Sequence, residues 1–377
     1  MHILLVPSEY PTDDHRLGGI FTQEQEKYLS KNNKLGVIYI YLFSVKKIFS
    51  NLFFKILSSK RIKKYKLFFY FPRIPYLKLI NYHIHFFFFY RLFKKYINEN
   101  GKPDLIHVHF SEFSIWSAFK IYEIYKIPYI LTEHSTDFLD GKYQKKYKKN
   151  SNIYKKIYKA LSNSKRIICV SSILKKKIKA YYKIKDKKFE IIPNLSKNFK
   201  SSFGIKNNDI IFIGSLDERK NPMLLIKAYE KINDNKLKMK IIGDGYLRSK
   251  IDNYIKNKNI FGSVSIIKNL NRNKVLKSIS ESKVLVLPSN YETFGVVIIE
   301  AYSMGVPVVM TDSLGVRDLH HKDCSILIKK NNVNILAKSI IKILKKNDYK
   351  YDKITEFYNK NFSPSVVIRK IEKLYTS

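Results

Sequence analysis

Short uninterrupted runs rich in Ile, Val and Leu, each followed by a stretch of helical periodicity, decide what this chain can fold into. One series covers residues 3–6, 105–109, 129–132, 167–170 and 190–193; a second covers 210–214, 239–243, 264–267, 284–288 and 306–311. Runs this short and continuous suit strands buried on both faces of a parallel sheet. Their alternation with helical segments predicts α/β architecture. A chain of 377 residues exceeds the size at which a single core stops growing, and two series imply two sheets. The break falls in the polar stretch 194–208. The expected organisation is an N-terminal domain over 1–195, a C-terminal domain over 205–350, and a tail over 351–377 that reads as helix and packs back toward the first domain.

Composition narrows the setting. Two cysteines far apart, Cys169 and Cys324, give neither a disulfide framework nor metal-ligand spacing, which fits a reducing compartment. The first residues read as a core strand and not a signal peptide, and no apolar run is long enough for a spanning helix. The net charge of +40 calls for an anionic partner or reflects a lysine-rich solvated surface. Its distribution is uneven. Residues 45–97 hold 13 Lys/Arg and no acid, interleaved with aromatics such as Phe86 to Tyr90. Residues 141–188 hold 18 basic residues and one acid, Asp186. The first stretch reads either as an interfacial contact with an anionic membrane surface or as a helical hairpin with its Phe residues turned inward.

Ligands in such sheets bind beyond the carboxyl ends of the strands, so the residues there are the candidates. After the run at 210–213 come Gly214-Ser215-Leu-Asp-Glu-Arg219-Lys220-Asn-Pro222. Asn221 and Pro222 are good helix-start residues, which puts Arg219 and Lys220 at a strand–helix junction suited to an anion or to plain solvation. After the run at 239–242, Gly243-Asp-Gly245 lets a ligand lie against backbone or makes a tight turn. After the run at 284–288, Ser289-Asn-Tyr-Glu292-Thr-Phe294-Gly295-Val296 leads into a helix. Its first amides can donate to a diphosphate, while Glu300 lies within it among apolar neighbours and needs a partner if buried.

In the first half, Gly18-Gly19 precede a helical stretch over 20–29. His134 follows the run at 129–132 and reads equally as a substrate contact or a satisfied core histidine. His107 and His109 share a strand face; a metal pair there lacks a third ligand nearby in sequence, so the structural role is favoured. No Asp-x-Asp occurs, which removes the usual chelating motif for a metal-bound nucleotide sugar.

Taken together, these motifs resemble the family 4 (group 1) glycosyltransferases of GT-B fold, two Rossmann-like domains facing across a cleft. The resemblance runs from Gly18-Gly19 through Asp104 to His109, Thr132-Glu-His134, Ile191-Ile-Pro-Asn194, Gly214 to Lys220 and Gly243-Asp-Gly245 to Glu292-x₇-Glu300 and Gly305-Val-Pro-Val-Val. It implies retaining, metal-independent transfer of a hexose or N-acetylhexosamine from a nucleotide sugar, UDP favoured, to a saccharide or lipid-linked acceptor. The setting implied is cell-surface polysaccharide synthesis, cytoplasmic and peripheral on the inner face of the membrane, with no cofactor and no nucleic-acid partner.

The resemblance also implies roles. Lys220 binds the donor phosphates, Glu300 the ribose, and the amides of Phe294, Gly295 and Val296 the diphosphate. Glu292 faces the sugar that moves, Gly19 approaches the diphosphate from the other domain, and His134 touches the donor sugar. Backbone near Gly243 and around Asn269-Leu270 selects the base. Two departures stand out. Ser215 replaces the family's Arg after Gly214, leaving the phosphate one cation short unless Arg219 swings in. Leu314-Gly315 replaces the usual Gly-Gly pair. An epimerase of the same fold, a basic nucleic-acid-binding protein and an inactive scaffold are the rival readings.

Overall fold

The computed structural model describes residues 1–11, 19–44, 57–61, 64–73, 77–110, 112–196, 206–234, 236–260, 263–268, 270–329, 332–345 and 349–377. Two compact units emerge, one from Met1–Pro193 together with Ile368–Ser377, the other from Asn194–Val367.

Unit 1 is built on an eight-stranded sheet. Its parallel strands are β1 (His2–Pro7), β2 (Lys34–Ser44), β4 (Lys64–Arg73), β5 (Leu105–His109), β6 (Tyr129–Glu133), β7 (Arg166–Cys169) and β8 (Phe189–Ile191). The edge strand β3 (Leu57–Arg61) alone runs antiparallel, against β4. The order is β3-β4-β2-β1-β5-β6-β7-β8. Strands β5 and β6 are buried at every residue, as two-sided burial requires. Helices α1 (Ile20–Leu29), α2 (Lys78–Asn100), α3 (Phe113–Tyr125), α4 (Lys142–Lys146), α5 (Asn152–Asn163) and α6 (Ser172–Tyr182) connect them. Ser151 caps α5 by accepting from the Tyr154 amide at 3.2 Å.

Unit 2 carries six parallel strands: β9 (Asn208–Ile213), β10 (Met239–Ile242), β11 (Val264–Ile267), β12 (Ser282–Leu287), β13 (Val308–Thr311) and β14 (Ser325–Ile328). Their order is β11-β10-β9-β12-β13-β14, the 3-2-1-4-5-6 order of a doubly wound dinucleotide-type fold. Helices α7 (Pro222–Ile232), α8 (Arg248–Asn257), α9 (Arg272–Ser280), α10 (Val296–Ser303), α11 (Val333–Lys345) and α12 (Tyr351–Asn361) join them. The core of one face gathers Phe212, Ile241, Val286 and Val309 from the sheet with Leu225 of α7 and Ile340 of α11.

Three expectations change. The tail is two helices and not one: Pro364 opens α13 (Pro364–Thr376), and the chain from Ile368 belongs to unit 1. A proline suits the first helical turn and breaks the interior of a preceding helix. Within 45–97 there is no helical hairpin among the described residues; 57–73 supplies β3 and β4, and a single long helix follows. Residues 45–56, 62–63 and 74–76 of that stretch lie outside the described residues. Its Phe run divides by helical phase: Phe89 is buried, whereas Phe87 is 52% exposed. Strands β2 and β14 also go beyond the two series read from the sequence.

Candidate functional site

In each sheet the connections leave in opposite directions from one pair of neighbouring strands. These switch points lie between β9 and β12 in unit 2 and between β1 and β5 in unit 1. Loops diverge there and leave a crevice beyond the carboxyl ends.

At the unit 2 switch point, the loop after β9 delivers Lys220 and the loop after β12 delivers Glu292. The two form an ion pair, with side chains 13% and 6% exposed. The same Glu292 oxygen accepts from Ser289 Oγ at 2.8 Å, so the carboxylate is held by two donors. The Lys220 stem lies across Gly214, where an added Cβ would come within 3.3 Å of it. The Ser215 hydroxyl donates to Asp217 at 2.7 Å, and Arg219 donates to Ser215 at 3.3 Å. Asp217 also accepts from the Lys220 amide at 2.9 Å. Arg219 is therefore tied to the position where the family carries its own arginine. Its guanidinium stays 38% exposed.

Helix α10 starts directly after this loop. Its first amides, beginning at the N-cap Gly295 and Val296, have no intrahelical acceptor, and the Phe294 amide lies just before them. Glu300 sits one turn into α10, 2% exposed, and forms an ion pair with Arg272. Arg272 was not among the candidates read from the sequence, yet the sequence carries a signal for it. Asn271 caps α9, accepting from the Lys274 amide at 3.0 Å, so Arg272 occupies the first helical position. A cation there opposes the helix dipole and calls for a carboxylate partner. Leu270, just before this cap, is half-buried, and Asn269 lies outside the described residues.

The glycine pair has a structural reason in the turn itself: a Cβ at Gly243 would fall 1.8 Å from the Gly214 carbonyl oxygen. Gly245 is likewise packed against Leu216, where an added Cβ would fall 2.4 Å from its carbonyl oxygen. The pair exists so that the loops after β9 and β10 can lie together, joined by Leu216 N–H to Asp244 at 2.9 Å. The Leu314-Gly315 departure also resolves. Leu314 takes a left-handed φ of 69° that a glycine would adopt freely. Gly315 cannot be replaced so readily, since a Cβ would meet the Glu292 carbonyl oxygen at 2.1 Å.

At the unit 1 switch point, Gly19 caps α1 against the carbonyl of Glu9. His134 follows β6 and is 7% exposed. Its Nε2 is 3.1 Å from His109 Nδ1, and its ring stacks on Phe21 at 4.1 Å. His107 continues the ladder, stacked on His109 at 4.5 Å and hydrogen-bonded to Thr132 at 2.7 Å and Tyr375 at 2.8 Å. Burial pushes His109 down to about 3 and holds His107 and His134 well below the usual imidazole range. The ladder is neutral at pH 7. His107 thus has a structural role, and no metal-ligating cluster occurs among the described residues. The Nδ1 of His134 is buried with no protein partner. His134 lines an open cavity of about 470 Å³ together with Phe21, Phe110, Glu112, Asp137 and Lys146. Burial raises the Asp137 carboxyl above its ordinary value, with Lys146 opposing.

The family model for Glycosyl transferases group 1 matches residues 195–360, and the Glycosyltransferase Family 4 model matches 57–195. The chain belongs to the group 1 glycosyltransferases. An uncharacterized glycosyltransferase of Methanocaldococcus jannaschii is 27% identical over 295 residues, 76% of this chain and 78% of that one. The Campylobacter jejuni N-acetylgalactosamine-N,N'-diacetylbacillosaminyl-diphospho-undecaprenol 4-alpha-N-acetylgalactosaminyltransferase is 28% identical across 42% of this chain and 45% of its own. The solved structure of Anabaena HepE in complex with UDP superposes over 100% of both chains with a TM-score of 0.73 at 14% identity. That likeness fits the GT-B fold of two Rossmann-like units.

Proposed function

We propose that this glycosyltransferase moves a hexose or N-acetylhexosamine from a UDP-sugar to a saccharide or lipid-linked acceptor, with retention at the anomeric carbon and without a metal ion. The observation that carries this reading is the Lys220–Glu292–Ser289 cluster at the unit 2 switch point, beside the free amides of α10. A diphosphate placed there takes over Lys220 and the amides of Phe294, Gly295 and Val296, while Glu300 turns from Arg272 to the ribose hydroxyls. HepE, the neighbour of like fold, holds UDP, which supports uracil as the base. The Campylobacter relative, by its name, acts on a diphospho-undecaprenol saccharide, which supports a lipid-linked acceptor.

In the proposed reaction the bond from C1 of the sugar to the β-phosphate oxygen breaks and the diphosphate keeps the electron pair. The acceptor hydroxyl bonds to C1 from the same face, and its proton passes to the departing phosphate. The dominant requirement is to stabilise the charge on that phosphate. Preorganised donors do this most effectively, and Lys220, Arg219 and the α10 amides are the donors present. Glu292, which keeps its bond from Ser289 when the diphosphate takes Lys220, orients the sugar. In unit 1, the cavity beside His134 takes the saccharide, and the unpartnered Nδ1 bonds one of its hydroxyls. The basic segments of unit 1 hold the enzyme peripherally at the inner, anionic face of the membrane, in surface-polysaccharide synthesis. No described helix is long and apolar enough to cross a membrane.

Thermal-shift titration with UDP-, GDP- and ADP-sugars tests the donor: a shift confined to UDP-sugars is expected, and none with any of them would overturn the reading. The anomeric configuration of the product, read by NMR, tests retention. Flotation with anionic liposomes at low salt tests the membrane contact, and an unbound protein would sink it.

A further inference from the structure

The amino ends of β6, β7 and β8, opposite to the end that carries His134, surround a second open cavity of about 560 Å³. Lys165, Arg166, Lys187 and Lys188 line it with Tyr122 and Tyr129, and none of its lining residues is acidic. We propose that it is an anion site that binds a phosphate group carried on a small organic substituent, separate from both switch points.

Several features set this cavity apart from an ordinary solvated lysine face. Arg166 opens β7 and is only partly exposed. It donates through Nη1 to the Lys165 carbonyl at 3.0 Å, while its Nε–H is buried with no partner. Lys188 is half-buried and donates to the carbonyls of Ser162 and Ser164, the latter at 2.7 Å. Lys165 donates to the Tyr375 carbonyl at 3.0 Å. Lys165, Arg166 and Lys188 are therefore held in place by main-chain oxygens, which fix their positions but do not neutralise them, while Lys187 is exposed at the rim. Burial lowers Lys188 from its usual value, and the like charges of Arg166 and Lys187 add to the effect. Four cations of one sign held this close repel one another, and a bound anion removes that cost. By contrast, the acid of the same basic segment, Asp186, is engaged elsewhere, by Lys179 at 3.1 Å and Lys175 at 3.3 Å. The cavity exceeds what a bare phosphate fills, and the two tyrosine rings offer a wall for an organic substituent.

Such a group comes either from a soluble phosphate ester or from a phospholipid headgroup. The full chain is titrated with glycerol phosphate by calorimetry and floated with phosphatidylcholine vesicles with and without phosphatidylglycerol. The Arg166→Gln/Lys188→Gln variant is compared with Lys250→Gln/Lys256→Gln, two exposed lysines of α8 in unit 2. At about fivefold per cation, the cavity variant loses roughly 25-fold in affinity while the control stays within about twofold. Loss of glycerol phosphate binding assigns a soluble ester; loss of vesicle binding alone assigns a headgroup. If neither probe binds, or if both double variants weaken equally, the site does not exist. Should the cavity variant fail to fold, Lys187→Gln, at an exposed position, must by itself weaken the probe about fivefold, and an unchanged affinity overturns the proposal.

Discussion

Replacing Arg272 with Ala should destabilise unit 2 more than replacing its partner Glu300 with Gln. The reason lies in which charge is left behind. Glu300 is 2% exposed and Arg272 29% exposed. Without Arg272, a carboxylate loses its countercharge inside the fold; without the Glu300 charge, the guanidinium turns toward water. Breaking a fully buried pair from one side costs about 3–5 kcal/mol. Solvent reaching the Arg272 side screens the interaction, so about 1–2 kcal/mol is the expected loss for Arg272→Ala and less than about 1 kcal/mol for Glu300→Gln. For a unit of this size that is a fall in Tm of about 3–6 °C for the first variant.

The two variants should part again when nucleotide is added. Arg272→Ala exposes Glu300 to ribose hydroxyls without competition, so its thermal shift with UDP should be at least as large as that of the unaltered enzyme. Glu300→Gln removes the acceptor and should lose most of the shift. Differential scanning calorimetry with and without UDP reads both effects. Equal stability losses would refute the burial argument. Equal loss of the UDP shift would refute the assignment of Glu300 to the ribose.

Lys220→Ala should lower kcat by about 10²–10³ with little change in fold, as loss of one donor to a developing anion does; near-normal turnover would remove Lys220 from the phosphate site. Gly315→Ala should disrupt the Glu292 loop, because its Cβ would meet the Glu292 carbonyl oxygen at 2.1 Å; Leu314→Gly relieves a left-handed leucine at φ 69° and should change stability by no more than about 1 kcal/mol. Urea titration separates the two. Acid should weaken unit 1: the imidazoles of His85 and His109 are held at about 3 in the folded protein against 6.5 when unfolded. The unfolded chain therefore binds more protons below pH 6.5, and stability falls as pH drops from about 6.5 toward 3, by up to about 1.4 kcal/mol per pH unit for each histidine. A Tm unchanged between pH 7.5 and 5.5 would refute their neutral burial.

The central strands were legible because both their faces are covered, which forces continuous apolar runs; β5, with the sequence Leu-Ile-His-Val-His, is the instructive case. Its two histidines look polar in sequence but are neutral in place, His107 bonded to Tyr375 and Thr132 and His109 to His134. The edge was less legible. Strand β4, Lys-Tyr-Lys-Leu-Phe-Phe-Tyr-Phe-Pro-Arg, pairs with β2, a composition that reads as a basic aromatic segment until a neighbouring strand is present. At the site, Lys220, Glu292 and Glu300 were legible by position after a strand. Arg272 carried a signal as a cation at a helix start, but its carboxylate was not legible, because Glu300 lies on the next helix and only the fold brings them together. Gly243 shows a related point: a glycine marks close approach, and sequence does not say that the backbone of Gly214 is what approaches it.

The two switch points differ in electrostatic state, and the difference bears on which ligand each is proposed to hold. Unit 2 keeps buried charges in pairs, Lys220 with Glu292 and Arg272 with Glu300. Such pairs repay little of their desolvation cost in stability, so their value must lie in exchange. A nucleoside diphosphate offers the exchange for both at once, phosphate for the lysine and hydroxyls for the carboxylates. Unit 1 instead buries a neutral histidine ladder whose outermost nitrogen has no protein partner. A neutral imidazole has no field to attract a diphosphate, but it bonds a hydroxyl in either direction. In the proposed reaction, phosphate chemistry falls to the sheet of unit 2 and hydroxyl chemistry to that of unit 1.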